Sequence, residues 1–212
     1  ADLPKASVKT TGKIKILTGG DAVTVEKKFC DPFQFINQAV FVFSANELPS
    51  VDDSTYAFWR RWAVIEFPFK FEVDPTFPPR LMTEENLSGF LNLVLAKMTS
   101  IERDGLTRSK KVEKIMDMWK ARSNSAYAFV RDTLVKSPMD FVEFGSLFSM
   151  YQAYCEDHDM TALTKNKLSM EIEKTGATST LKTIDRQRKR VYMGVKIRGK
   201  DDPVAPPKPQ AD

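Results

Sequence analysis

The 212-residue chain has two cysteines, Cys30 and Cys155, and one histidine, His158. Two cysteines cannot build a disulfide scaffold, and the expectation is a reducing, cytoplasmic setting. A structural zinc needs four ligands, whereas Cys155 and His158 form a C-x-x-H half-site with no second pair. They are read as structural or incidental, and no metal is expected. A Cys–His nucleophile is no better supported, because both residues lie on one expected helix with no orienting third group. No apolar run approaches the roughly 18–20 residues that a membrane helix requires. Nor does a basic segment followed by an apolar one mark a secretory signal. The chain holds no G-x-x-x-x-G-K-[ST] phosphate loop and no G-x-S-x-G elbow. What is present excludes disorder: 42% hydrophobic residues, 28% charged residues and fifteen phenylalanines supply enough apolar surface for one or two cores.

Charge is unevenly distributed. The whole chain carries +4, yet residues 160–200 hold eleven Lys/Arg against Glu171, Glu173 and Asp185, a local +8. The remainder is therefore net acidic. Such asymmetry points to a local polyanion site, with a solvated basic hairpin as the plain alternative.

The first seventy residues read as β-rich with tight turns. Lys13–Leu17 runs into the Gly19-Gly20-Asp21 turn signal, and Ala22–Phe29 alternates with period two, as one arm of a hairpin does. The continuous apolar run 39–44 predicts a buried strand ending at Asn46, Ser54–Trp59 one or two helical turns, and Ala63–Phe67 another strand. Pro75, Pro78 and Pro79 predict a connector over 72–80. Thr83 then caps a helix ending near Gly105, with Leu87, Phe90, Leu91, Val94, Leu95 and Met98 read as a core stripe. A second helix over 109–122 carries Val112, Ile115, Met116 and Trp119. A third starts at Asn124 or Ser125 and is stopped by Ser137-Pro138.

From Asp140 the pattern changes. Phe144–Asp157 is helical, Thr161 or Thr164 caps a shorter helix ending at Gly176, and two extended runs follow, Ser179–Ile184 and Arg190–Arg198. Helix-turn-helix followed by a hairpin is the plan of a winged helix. Lys165 and Lys167 sit early in the second helix, where a recognition helix meets DNA. Lys182, Arg186, Arg188, Lys189 and Arg190 make a basic wing. The proline-rich segment 201–212 reads as a disordered tail or linker.

Three features of the first seventy residues could carry chemistry: Lys27 and Lys28 on the hairpin, Asn46 after the apolar run, and the Arg60-Arg61 pair before the next strand. Spacing alone leaves Asn46 a turn residue and the arginines snorkelling beside Trp59 and Trp62. The strings Lys15-Ile-Leu-Thr-Gly-Gly-Asp21, Lys28, Phe43-Ser-Ala-Asn46-Glu-Leu-Pro49 and Phe58-Trp-Arg-Arg61-Trp, with Ile65-Glu-Phe-Pro68, resemble the C-terminal part of superfamily 3 helicases. The closest likeness is to the phage, plasmid and viral primase–helicase branch. The resemblance implies a hexameric AAA+ ATPase that uses ATP and Mg2+ to translocate on single-stranded and duplex DNA in the host cytoplasm. In it Lys28, with Lys27 beside it, matches the DNA-gripping hairpin. Asn46 matches the sensor-1 asparagine that orients the attacking water, and Arg61, or else Arg60, the arginine finger.

The implied fold class is mixed α/β and α+β, in several domains. Residues 1–71 would be the C-terminal portion of the AAA+ core, 72–137 a connector and helical segment, 138–200 the winged helix, and 201–212 the tail. Walker A and B motifs would precede Lys15, so this stretch is expected to be a fragment without ATPase activity of its own, needing no cofactor in isolation. The competing expectations are a non-enzymatic winged-helix DNA-binding regulator and a structural adaptor.

Overall fold

The computed structural model describes residues 11–105, 109–199 and 202. The chain divides into two units. One takes in the residues up to Trp62 together with those from Met116 onward; the other is Ala63–Ile115. Both helix and sheet are present, and no described helix is long and apolar enough to cross a membrane.

The first unit begins with α1 (Thr11–Leu17). Lys13–Leu17 is thus helical, a departure from the β-rich expectation. Its turn is closed by Thr18, whose hydroxyl donates to the Ile14 carbonyl at 2.6 Å. The Gly-Gly turn leads to β1 (Ala22–Val25), which pairs antiparallel with β2 (Phe33–Ile36), Val25 opposite Phe33. The hairpin foreseen from the alternation is there. The run 39–44 does not form the expected buried strand: Val40 and Val42 are 87% and 81% exposed. A continuous apolar run becomes a strand only where neighbouring strands accept its backbone bonds, and among the described residues this run joins neither sheet and carries only an isolated bridge at Ser44. The helical turn α2 (Tyr56–Trp59) follows as expected, burying Phe58 and Trp59.

Those rings pack with the later part of the same unit. α5 (Lys110–Ser123) presents Trp119, which meets Trp59 and Trp62 edge-on at 5.1 and 5.4 Å. The Trp119 indole N–H donates to the Pro49 carbonyl at 2.6 Å, and the Val51 N–H donates to Ser123 Oγ at 3.2 Å. Buried aromatic contact plus two hydrogen bonds ties residues 49–62 to the end of α5.

α6 (Ser125–Thr133) starts at Asn124, whose side chain accepts from the Tyr127 N–H. It ends at Thr133, earlier than Ser137-Pro138. Pro138 lies instead within β3 (Leu134–Glu143), where the pairing register slips between Lys136 and Phe141. A bulge tolerates the missing N–H of proline. Then come α7 (Phe144–Asp157), α8 (Lys165–Lys174), β4 (Thr178–Ile184) and β5 (Gln187–Ile197). The three strands form one antiparallel sheet in the order β3-β5-β4. Phe129, Val142, Leu147, Tyr151, Leu168, Ile172, Tyr192 and Val195 form its core with the helices. The Arg198 N–H donates to the Thr133 carbonyl at 2.7 Å, fastening the end of the sheet to α6.

The second unit contains α3 (Phe77–Leu81) and α4 (Glu84–Asp104). α3 corrects the expectation of a connector without helix. Pro78 and Pro79 sit in its first turn, where the missing N–H groups have no intrahelical partner to lose. α4 has the expected Thr83 cap, its hydroxyl accepting from Asn86 N at 3.3 Å, and stops at Gly105 with φ 73°. Its apolar stripe is not core: no residue of α4 is buried. Ala63–Phe67 is irregular rather than a strand, with Ile65 and Phe67 exposed.

Candidate nucleic-acid interface

β4 and β5 are joined by a two-residue turn, Asp185-Arg186, with Ile184 opposite Gln187. Both turn residues have positive φ, 51° and 64°, the geometry that matches right-handed strand twist. The turn is therefore shorter than the gap left between the two extended runs read from the sequence, Ser179–Ile184 and Arg190–Arg198. Gln187, Arg188, Lys189 and Arg190 are strand residues with opposed partners.

Strand alternation then sorts the cations by face. Tyr192 and Val142 point to the helices, so Arg190 and Arg188 lie on that same face. Lys182 and Lys189, directly opposed, lie on the other. Their like charges are handled separately. Lys189 Nζ is 3.2 Å from Glu143, and Lys182 Nζ stands 3.9 Å from the centre of the Phe141 ring. Arg190 is the most engaged. It donates to Ser179 Oγ at 2.9 Å and to the Tyr192 hydroxyl at 2.7 Å, lies 3.6 Å from Glu173, and is flanked by the Phe144 and Tyr192 rings. Arg186 and Arg188 are exposed and form no ion pair among the described residues.

α8 is capped by Thr164, whose hydroxyl accepts from Lys167 N. Leu168 and Ile172 are fully buried, and Asn166, Lys167 and Met170 face out. Lys165 Nζ rests 5.1 Å from the Phe148 ring centre. Buried Glu171 accepts from Asn124 Nδ2 at 2.9 Å and from Lys174 Nζ at 2.8 Å, and Lys174 also donates to the Ser54 carbonyl. A buried carboxylate is tolerable because both donors are supplied.

The hairpin lysines lie in the β1–β2 connection. The Cys30 N–H donates to the Lys27 carbonyl at 2.9 Å, closing a turn around Lys28 and Phe29. Lys28 Nζ is 5.0 Å from the Phe29 ring, and Phe29 is 92% exposed at φ 67°. Asn46 is exposed in a bend. Arg60 caps α2 with its guanidinium 5.9 Å from the Tyr56 ring. Arg61 is half-buried: one N–H donates to the Ala57 carbonyl, and the guanidinium closes on Gly19, where a Cβ would come within 3.3 Å of it. That Cβ would also meet the Lys15 carbonyl at 2.8 Å, so position 19 needs glycine. Nearby, Lys15 pairs with Asp53 at 2.8 Å. Burial alone would raise the Asp53 pKa, but hydrogen bonds from Lys15 and from Thr55 hold it well below the usual carboxylate range.

Two polar clusters have no signature in the sequence. Tyr151, fully buried, accepts from Leu163 N at 2.7 Å and meets Ser125 Oγ at 2.6 Å, while Ser125 donates to the Thr161 carbonyl. Asp117 accepts from Tyr127 and Arg131, and Asp132 from Arg131 and Tyr154. Burial, then the hydrogen bond to Asp117, pushes the Tyr127 hydroxyl far up. Apart from the adjacent Arg131 and Asp132, the partners are separated in sequence and meet only in the fold. Cys155 is buried, and His158 stacks on Tyr154 at 4.0 Å. No group of three or more His, Cys, Asp or Glu could hold a metal ion among the described residues.

A family model described as a family of unknown function (DUF5906) matches residues 1–61. A protein named "Putative helicase L207/L206" from Acanthamoeba polyphaga mimivirus is 28% identical over 172 aligned residues. That match takes in 71% of this chain and 18% of the viral protein, so the chain spans less than a fifth of its relative.

Proposed function

We propose that the chain is the C-terminal part of a superfamily 3 replicative helicase and that residues 138–200 form a winged-helix DNA-binding domain. The observation that carries this reading is the basic hairpin on a three-stranded sheet. Its strand order β3-β5-β4, with two helices between β3 and β4, supports a helix-turn-helix followed by a wing, and Arg186 and Arg188 are left exposed toward its tip. The viral relative's name and the charge of residues 160–200 support it.

In the parent protein, ATP and Mg2+ would bind to residues outside this stretch, and a hexameric ring would couple hydrolysis to unwinding. Lys27 and Lys28 would grip the translocated strand. Asn46 would orient the attacking water. Arg61, with Arg60 as second choice, would stabilise the phosphoryl group held by the neighbouring subunit. To reach out, Arg61 must give up its Ala57 bond and its seat on Gly19. On α8, Lys165 and Lys167 would meet phosphates, with Lys182 joining from the far face of the sheet. Lys189 and Arg190 hold the hairpin in shape through Glu143 and Glu173.

The test is fluorescence anisotropy of the full chain with labelled duplex across a salt series, beside R186A/R188A. Each lost phosphate contact flattens the slope of log affinity on log salt by about 0.9, so the variant should be shallower by about 2. No binding at low salt, or binding indifferent to salt, overturns the reading.

A further inference from the structure

We infer that Asn166 and Met170 of α8 read base edges in the major groove of duplex DNA and that the sequence they select contains A·T pairs. This inference rests on the duplex-binding reading above and adds its specificity.

The argument starts from the helix itself. At about 100° per residue, the buried positions Leu168, Ser169, Glu171 and Ile172 centre on one side of α8. Met170 falls diametrically opposite, with Asn166 one turn before it on the same line. Met170 is 56% exposed, a large apolar side chain at the outermost point of an otherwise polar face. The positions beside that line are already occupied. Glu173 is engaged with Arg190 of the hairpin, and Lys174 with Glu171 and Ser54. Lys167 is exposed on the far flank, with no ion pair among the described residues. The projecting line therefore offers one amide and one thioether, with Lys167 and Lys174 on one flank and the Glu173–Arg190 pair on the other.

Duplex DNA fits this surface for two reasons. Lys167, Arg186 and Arg188 provide unneutralised charge on either side of the helix, which suits phosphates across a groove. The two side chains also match distinct base-edge features: an asparagine amide pairs with adenine N6 and N7, and an apolar group packs on the thymine 5-methyl. Asn166 and Met170 are separated by about 6 Å along the axis, close to two base steps of about 3.4 Å. Double-stranded RNA offers no equivalent surface, because its major groove is too deep and narrow for a helix.

The experiment uses the full 212-residue chain and a randomised 20-bp duplex pool, with the bound fraction sequenced. The expected result is enrichment of A·T at neighbouring positions. N166A should lose the adenine preference, a discrimination of about 5- to 150-fold for a bidentate pair. Replacing thymine by uracil in the selected duplex should weaken wild type about fourfold, the effect of one buried methyl, and leave M170A unchanged. Far-UV circular dichroism checks that both surface variants remain folded. Salt-sensitive binding without base preference, or equal affinity for duplex RNA, overturns the inference and leaves the DNA-binding reading standing. Absence of any duplex binding at low salt overturns both.

Discussion

Removing the Tyr151 hydroxyl tests whether the core of residues 125–198 depends on a specific polar knot or on apolar packing alone. The Tyr151 oxygen accepts from Leu163 N at 2.7 Å and meets Ser125 Oγ at 2.6 Å. Ser125 donates its proton to the Thr161 carbonyl at 2.8 Å, so Tyr151 donates to Ser125. Burial raises the Tyr151 pKa above its ordinary value, while the Ser125 and Leu163 bonds pull it down, and the group donates as a neutral hydroxyl at physiological pH. Tyr151→Phe keeps the ring and deletes two hydrogen bonds. It also leaves the Leu163 N–H without its acceptor. At about 0.5–1.5 kcal/mol per bond, with an added penalty for an orphaned donor, the loss is about 2 kcal/mol. For a chain of this size that lowers the thermal midpoint by about 4–8 °C. Urea unfolding followed by far-UV circular dichroism measures it, and a cycle with Ser125→Ala isolates the pair. The double variant should lose less than the sum of the singles, with a coupling of about 1 kcal/mol. A Tyr151→Phe cost below about 0.5 kcal/mol, or strict additivity, would refute the reasoning.

Other outcomes follow from the same geometry. Arg190→Ala should lower stability by about 1–3 kcal/mol, because Ser179, Tyr192 and Glu173 lose their partner. It should change the salt slope of duplex binding less than Arg186→Ala does, which paired unfolding and anisotropy measurements would show. Asp53→Asn should cost stability at neutral pH. The folded-state pKa is depressed, so the wild-type advantage is complete above the ordinary aspartate value of about 3.9 and fades as pH falls toward the folded value. Acid titrations of the two proteins should therefore converge; a gap that persists at the lowest pH would contradict the Lys15–Asp53 pairing. Gly19→Ala should destabilise the α1–β1 corner, since its Cβ would stand 2.8 Å from the Lys15 carbonyl. Unchanged unfolding of that variant would show that the corner relaxes freely. K27A/K28A should weaken single-stranded binding while sparing duplex binding by the α8 surface, measured with a single-stranded and a duplex probe side by side.

Local rules legible in the sequence located many elements. Thr83 and Thr164 mark helix starts because a hydroxyl before an amphipathic run satisfies an orphan N–H. Gly105 and Gly176 mark the stops, both with positive φ. Alternation marked β1, extended runs marked β4 and β5, and the charge excess of residues 160–200 marked the cations of the candidate site. The candidate site was legible as a set of cations and no further.

Tertiary structure decided which of those cations remain available. Glu143 and Glu173 come from other elements, so no reading of the basic run could show that Lys189 and Arg190 are held while Arg186 and Arg188 project. It also decided the fate of the apolar runs. The stretch 39–44 and the α4 stripe have the composition of buried elements, yet burial depends on a partner surface. Hydrophobicity alone states that a segment can be buried; the neighbouring elements determine whether it is.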